Sequence, residues 1–76
     1  DQVQLTGHTD NIGGGPYNQQ LGQQRAESIK AILVRYGVPA SQISVSSKGK
    51  SDPVSSNATE DGRRQNRRVE LVRISN

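Results

Sequence analysis

Cysteine, methionine, phenylalanine and tryptophan are all absent from this 76-residue chain, and each absence narrows the possibilities. Without cysteine there is no disulfide to staple a small domain, and the redox compartment stays open, since such a chain suits the cytosol and the periplasm alike. Zinc of the structural type needs more nitrogen and sulfur ligands than one histidine can offer. The only aromatic residues are Tyr17 and Tyr36, which leaves little for a base-stacking surface. No apolar run approaches the length of a membrane span, so insertion of this segment into a membrane is not expected. No signal-like segment is visible either, and any export signal is expected on a precursor. Hydrophobic residues make up 29%, little for a chain that is marginal in size. That figure fits partial disorder, or one piece of a domain whose remaining apolar surface lies elsewhere. The opening residues favour the second, because Asp1 to His8 alternates like a strand with no lead-in.

What is present reads as a short series of elements. From Gln2 to His8, Val3 and Leu5 fall on one face and Gln4 and Thr6 on the other, which predicts a strand. Thr9 to Gly15 is a loop containing three consecutive glycines. Pro16 suits a first helical turn. Tyr17 to Tyr36 then carries Leu21, Ile29, Ile32, Leu33 and Tyr36 on one stripe, which predicts a helix of about 20 residues and roughly 30 Å. Gly37 and Pro39 end it. Gly22 is its weak point, at about 1 kcal/mol relative to alanine. Gln42 to Ser47 predicts a second strand, Lys48 to Asn57 a loop, Thr59 to Asn66 an ordered loop or a single helical turn, and Arg67 to Ile74 a last strand. The first three elements form a β-α-β unit, hence a parallel pair with a right-handed crossover.

One feature of the helix stands out. At 100° per residue, Arg25 lies near the middle of the apolar stripe, and Asn18 lies two turns back on nearly the same line. A guanidinium on a core-facing line is costly unless it is paired or reaches an open site. Asp10 lies in the loop that leads into this helix, at the carboxyl edge of the sheet where ligands tend to bind. Asp10, Asn18 and Arg25 therefore outline a pocket. The same residues fit two plainer readings: a salt bridge that only fastens loop to helix, or an arginine snorkelling at the core's rim.

Lysine and arginine number 10 against 7 acidic residues, and five arginines fall between Arg63 and Arg73. This basic excess suits an anionic partner or simply a solvated surface. Catalysis is not expected. His8 is the sole histidine, no Ser-His-Asp set stands out, and an arginine beside Asp10 would keep that carboxylate ionised rather than poised as an acid. Gly49-Lys50-Ser51 lacks the earlier glycine of a phosphate loop, because position 44 is Ser44. No cofactor is implied.

Several spaced motifs, taken together, carry a resemblance. Gly7-His8-Thr9-Asp10, then Asn18, Leu21 and Arg25-Ala26, then Gly37-Val38, then Pro53 to Asn57, then Gly62-Arg63 and Asn66-Arg67-Arg68-Val69-Glu70 occur in the order of the OmpA-like C-terminal domain family. The chain resembles that family from about Thr6 to Val72. The resemblance implies an α+β fold, a β-α-β-α-β-β two-layer sandwich with a mixed sheet, here expected to lack the first strand and helix. Residues 1–76 are accordingly expected to form a single domain, its later part. It implies non-covalent binding of peptidoglycan through the diaminopimelate of the stem peptide. The binding residues would be Asp10 and Arg25, with Asn18, Asn66 and Arg67 near the same site. It places the module in the periplasm, tethered to the outer membrane or cell envelope of a Gram-negative cell. A homo-oligomer formed through the parent protein stays open. Gly22 stands where the family pattern usually has serine. The rival readings are a structural or protein-interaction module braced by Asp10 and Arg25 and, less favoured, nucleic-acid binding by the arginine cluster.

Overall fold

In the computed structural model, residues 2–74 are described. The elements run β1 (Gln2–His8), α1 (Gly15–Arg35), a 3₁₀ turn (Ala40–Gln42), β2 (Ile43–Gly49), α2 (Glu60–Asn66) and β3 (Arg68–Ile74). Asp1, which the strand-like alternation includes, lies outside the described residues, as do Ser75 and Asn76. The sheet order is β2-β1-β3. β2 runs parallel to β1, as the β-α-β unit requires, with Leu5 opposite Val45. β3 returns antiparallel on the other side, with Leu5 opposite Leu71. The sheet is therefore mixed, with a long helix on one face: the expected α+β architecture.

Side-chain alternation places Val3, Leu5, Val45, Val69 and Leu71 on the helix side of this sheet. Leu5, Ala26 and Ile43 form the buried centre, with Val3, Ile29, Leu33, Val38, Val45 and Val69 packed around it. α1 lies over β1 and β2 and barely reaches β3, so Leu71 stays 54% exposed.

The face that α1 buries differs from the expected stripe. Its buried residues are Asn18, Gly22 and Ala26, whereas Ile32 is half-exposed and Tyr36 is open to solvent. The reason is close approach. A methyl group built on Gly7 would sit 1.8 Å from the Gly22 carbonyl oxygen, and one on Gly22 would sit 2.3 Å from Ser47 Oγ. The helix backbone lies directly on the strand, and any side chain at either position would push it off. What reads in sequence as a weak glycine is the contact itself.

The helix ends as expected. Gly37 takes a positive φ of 101°, and the Val38 N–H reaches back to the Leu33 carbonyl at 3.0 Å. The segment left open between loop and turn is the helix α2. Thr59 caps it by accepting from the Gly62 N–H at 3.0 Å. Glu60 and Asp61 fall in its first turn and Arg63 and Arg64 toward its end, the charge order a helix dipole favours.

Candidate functional site

Strand β1 delivers His8, Thr9 and Asp10 to the carboxyl edge of the sheet, all three buried. The Thr9 N–H donates to the Gly49 carbonyl at 2.8 Å, which ties the loop to the end of β2. Asp10 then fixes its own loop, since its Oδ1 accepts from the Ile12 N–H at 3.0 Å. Asn18, 1% exposed, secures the same loop from the helix. Its Nδ2 donates to the Ile12 and Gly13 carbonyls at 2.9 and 3.4 Å. The glycine-rich segment is thus held from both ends.

The second wall of the site comes from the far end of the chain. Arg67 donates through Nη1 to Asp10 Oδ2 at 2.6 Å and through Nη2 to Glu60 Oε1 at 2.6 Å. Asn66, fully buried, has its amide oxygen accepting from the Val54 and Ser55 N–H groups at 2.8 and 3.0 Å. Its Nδ2 donates to the Ser55 carbonyl and to Asn57 Oδ1. Asn66 is to residues 54–57 what Asn18 is to residues 12–13, a fastener that shapes a loop beside the charged groups.

Arg25 is the group with capacity to spare. It is half-buried, and its Nη1 donates to the His8 carbonyl at 3.2 Å. Among the described residues no carboxylate lies within ion-pairing distance of it, although its charge acts on Asp10. The expected brace is therefore made by a different arginine: Asp10 pairs with Arg67, 57 positions away. Burial pushes the Asp10 carboxyl upward. The Ile12 N–H, the Arg67 guanidinium and the charge of Arg25 together outweigh that and hold it below the ordinary carboxylate value. Glu60 is lowered as well, by Arg67 first and Arg63 next. The site thus presents two cations and two ionised carboxylates within one patch. A carboxylate offers about four lone-pair positions and a guanidinium five N–H donors. Asp10 and Arg25 each retain unused capacity for a ligand carrying both signs of charge.

Beneath the patch, His8 Nε2 lies 3.3 Å from Glu70 Oε1. Burial and the neighbouring Arg68 lower the His8 pKa against the opposing pull of Glu70, which favours the neutral ring. Among the described residues, Arg63 is engaged with Glu60, Arg64 with Asp61, Arg67 with Asp10 and Glu60, and Arg68 with Glu70. Much of the basic excess seen in sequence is paired rather than presented as an open cationic face. Sequence reasoning missed Glu60. Its signal was the spacing of seven from Arg67, two helical turns.

Asp10, Arg25 and Arg67 meet at the edge of a β-α-β unit, shaped by two asparagine-fastened loops, and this arrangement defines a small α+β module with a charged surface site. The chain belongs to the OmpA family, whose model matches residues 1–67. It is 49% identical over 72 residues to the outer-membrane lipoprotein YfiB of Pseudomonas aeruginosa, covering 95% of this chain and 43% of that protein. Its structure is similar to that of the peptidoglycan-associated lipoprotein from Burkholderia pseudomallei, with a TM-score of 0.90 and 39% identity over 93% of this chain and 60% of the other. It is also similar to the cell wall anchor of the T6SS from Pseudomonas aeruginosa, with a TM-score of 0.80, 36% identity and coverage of 92% and 52%. The chain thus spans about half the length of these three proteins.

Proposed function

We propose that this module binds peptidoglycan without cleaving it, gripping the diaminopimelate of the stem peptide and so anchoring an envelope protein to the wall from the periplasm. The observation that carries this reading is a half-buried Arg25 guanidinium with no carboxylate partner among the described residues, set close enough to Asp10 for its charge to act there. The side-chain end of diaminopimelate carries an ammonium and a carboxylate on one carbon. Asp10 accepts from the ammonium, and Arg25 forks onto the carboxylate, which a planar guanidinium does well. Arg67 holds Asp10 in place and keeps it ionised. The named wall association of two of its structural neighbours supports the same reading.

A non-catalytic role is supported by the same geometry. Asp10 is held ionised rather than poised to exchange a proton, and the single histidine is buried. The brace reading has one observation in its favour, the Asp10–Arg67 pair, but it gives Arg25 only its single bond to the His8 carbonyl.

The test is co-sedimentation with two kinds of insoluble peptidoglycan. In lysine-type wall the corresponding side chain has an ammonium but no carboxylate beside it, so nothing meets Arg25. The module is expected to pellet with diaminopimelate-type wall and to stay in solution with the lysine type. Equal pelleting with both would overturn the diaminopimelate assignment.

A further inference from the structure

On the other side of the glycine loop from Arg67 lies an open pocket of about 390 Å³ lined by Gly15, Pro16, Gln19, Lys48, Lys50 and Ser51. Its volume falls within the range of small-ligand sites. Lys48 and Lys50 are the only charged residues in its lining. The Lys50 ammonium donates to the Gly13 carbonyl at 3.3 Å, and no carboxylate among the described residues lies within ion-pairing distance of it. The Lys48 ammonium is 3.8 Å from Asp52, with both side chains more than half exposed, an arrangement worth little in water. Most of the pocket's exposed lining is apolar. Gln19 is held by its own bond to the Ser47 carbonyl, and Ser51 Oγ by a 2.6 Å bond to the Lys48 carbonyl.

The Gly13 carbonyl links the two places, because it accepts from Asn18 on the Asp10 side and from Lys50 on the pocket side. A ligand seated on Asp10 and Arg25 therefore has this pocket, with its two lysines, as its neighbour across one loop. We infer that Lys48 and Lys50 form a second subsite, which takes the free carboxylate of the residue preceding diaminopimelate in the stem peptide. This inference rests on the diaminopimelate reading. It adds that the module reads two adjacent residues of the stem rather than one.

The experiment is calorimetric titration of the chain with three probes: free meso-diaminopimelate, the tripeptide L-alanyl-γ-D-glutamyl-diaminopimelate, and that tripeptide with its glutamyl α-carboxylate amidated. Wild type is expected to bind the acidic tripeptide about 3- to 10-fold more tightly than the amidated one, the scale of two partly exposed charge contacts. In the double variant Lys48→Gln/Lys50→Gln that difference should vanish while affinity for free diaminopimelate is unchanged. Lys48→Arg/Lys50→Arg should restore it. The inference is overturned if amidation costs wild type nothing, or if the glutamine variant still prefers the acidic tripeptide. Failure of the underlying reading looks different: wild type would then not bind free diaminopimelate at all, whatever residues stand at 48 and 50.

Discussion

Replacing Arg25 with alanine should weaken binding of a soluble diaminopimelate-containing muropeptide by at least about 30-fold, since removing one partner of a sheltered charge contact typically costs about 2–5 kcal/mol. The chain should still fold. Within the protein Arg25 makes a hydrogen bond to the His8 carbonyl, and such a bond contributes only about 0.5–1.5 kcal/mol. Arg25→Lys should recover little, because an ammonium cannot fork onto a carboxylate. Calorimetry reads the affinity and circular dichroism checks the fold. Arg25 is a cleaner probe than Asp10, whose carboxylate also fixes the Ile12 turn and holds Arg67. An Asp10 variant would lose the loop's shape along with the ligand contact. Unchanged affinity in Arg25→Ala would remove the residue on which the site depends.

The second large effect concerns folding. In Gly7→Ala the added methyl would meet the Gly22 carbonyl oxygen at 1.8 Å and its carbon at 2.5 Å. Backbone stands on both sides of the contact, so relief requires α1 to lift from β1. That uncovers Leu5 and Ala26, two of the three buried apolar residues among those described. Overpacking typically costs about 1–3 kcal/mol, and with backbone on both sides of the clash the upper end, about 3 kcal/mol, is expected. Near the thermal midpoint of a domain this size, that is a fall of at least about 12 °C. Gly15→Ala is the matched control. Nothing lies within 4 Å of a methyl built there, and its stability should stay within about 1 kcal/mol of wild type. A Gly7→Ala protein that melts with wild type would show that the helix and strand are not in backbone contact.

These two cases also mark what the sequence discloses. Alternation at Val3 and Leu5, at Ile43 and Val45, and at Val69 and Leu71 is enough to locate three strands, although β3 has only Val69 packed against the core. The face of the long helix was harder to read. Apolar periodicity counts bulk, whereas α1 meets β1 through the lack of it, at Gly22 and Ala26. The bulky stripe from Leu21 to Tyr36 is displaced to the flank of that contact. For α2, with seven residues of which only Gly62 and Asn66 are buried, there is no periodicity to detect. The Thr59 cap and the acid-to-base order along the segment were the available signals.

At the site, the helical wheel points Arg25 toward the loop that carries Asp10, and in the structure Arg25 bonds to the His8 carbonyl two residues before it rather than to Asp10 itself. The wheel could not reveal that Arg67, in a segment 57 positions on, takes the direct salt bridge. Pairing at that distance follows from β3 returning beside β1, a fact of sheet order rather than of local spacing. Nor does residue type separate a ligand contact from a loop fastener. The resemblance places Asn18 and Asn66 near the site, and in the structure their side-chain amides are turned to backbone carbonyls and N–H groups of adjoining loops.

The most direct measurement is a nuclear magnetic resonance titration of the isotopically labelled chain with free meso-diaminopimelate. Saturable shifts centred on the Asp10 and Ile12 amides and the Arg25 and Arg67 guanidinium groups are expected, with β2 left undisturbed. A spectrum that does not move, or that moves only at residues remote from Asp10 and Arg25, would contradict the account.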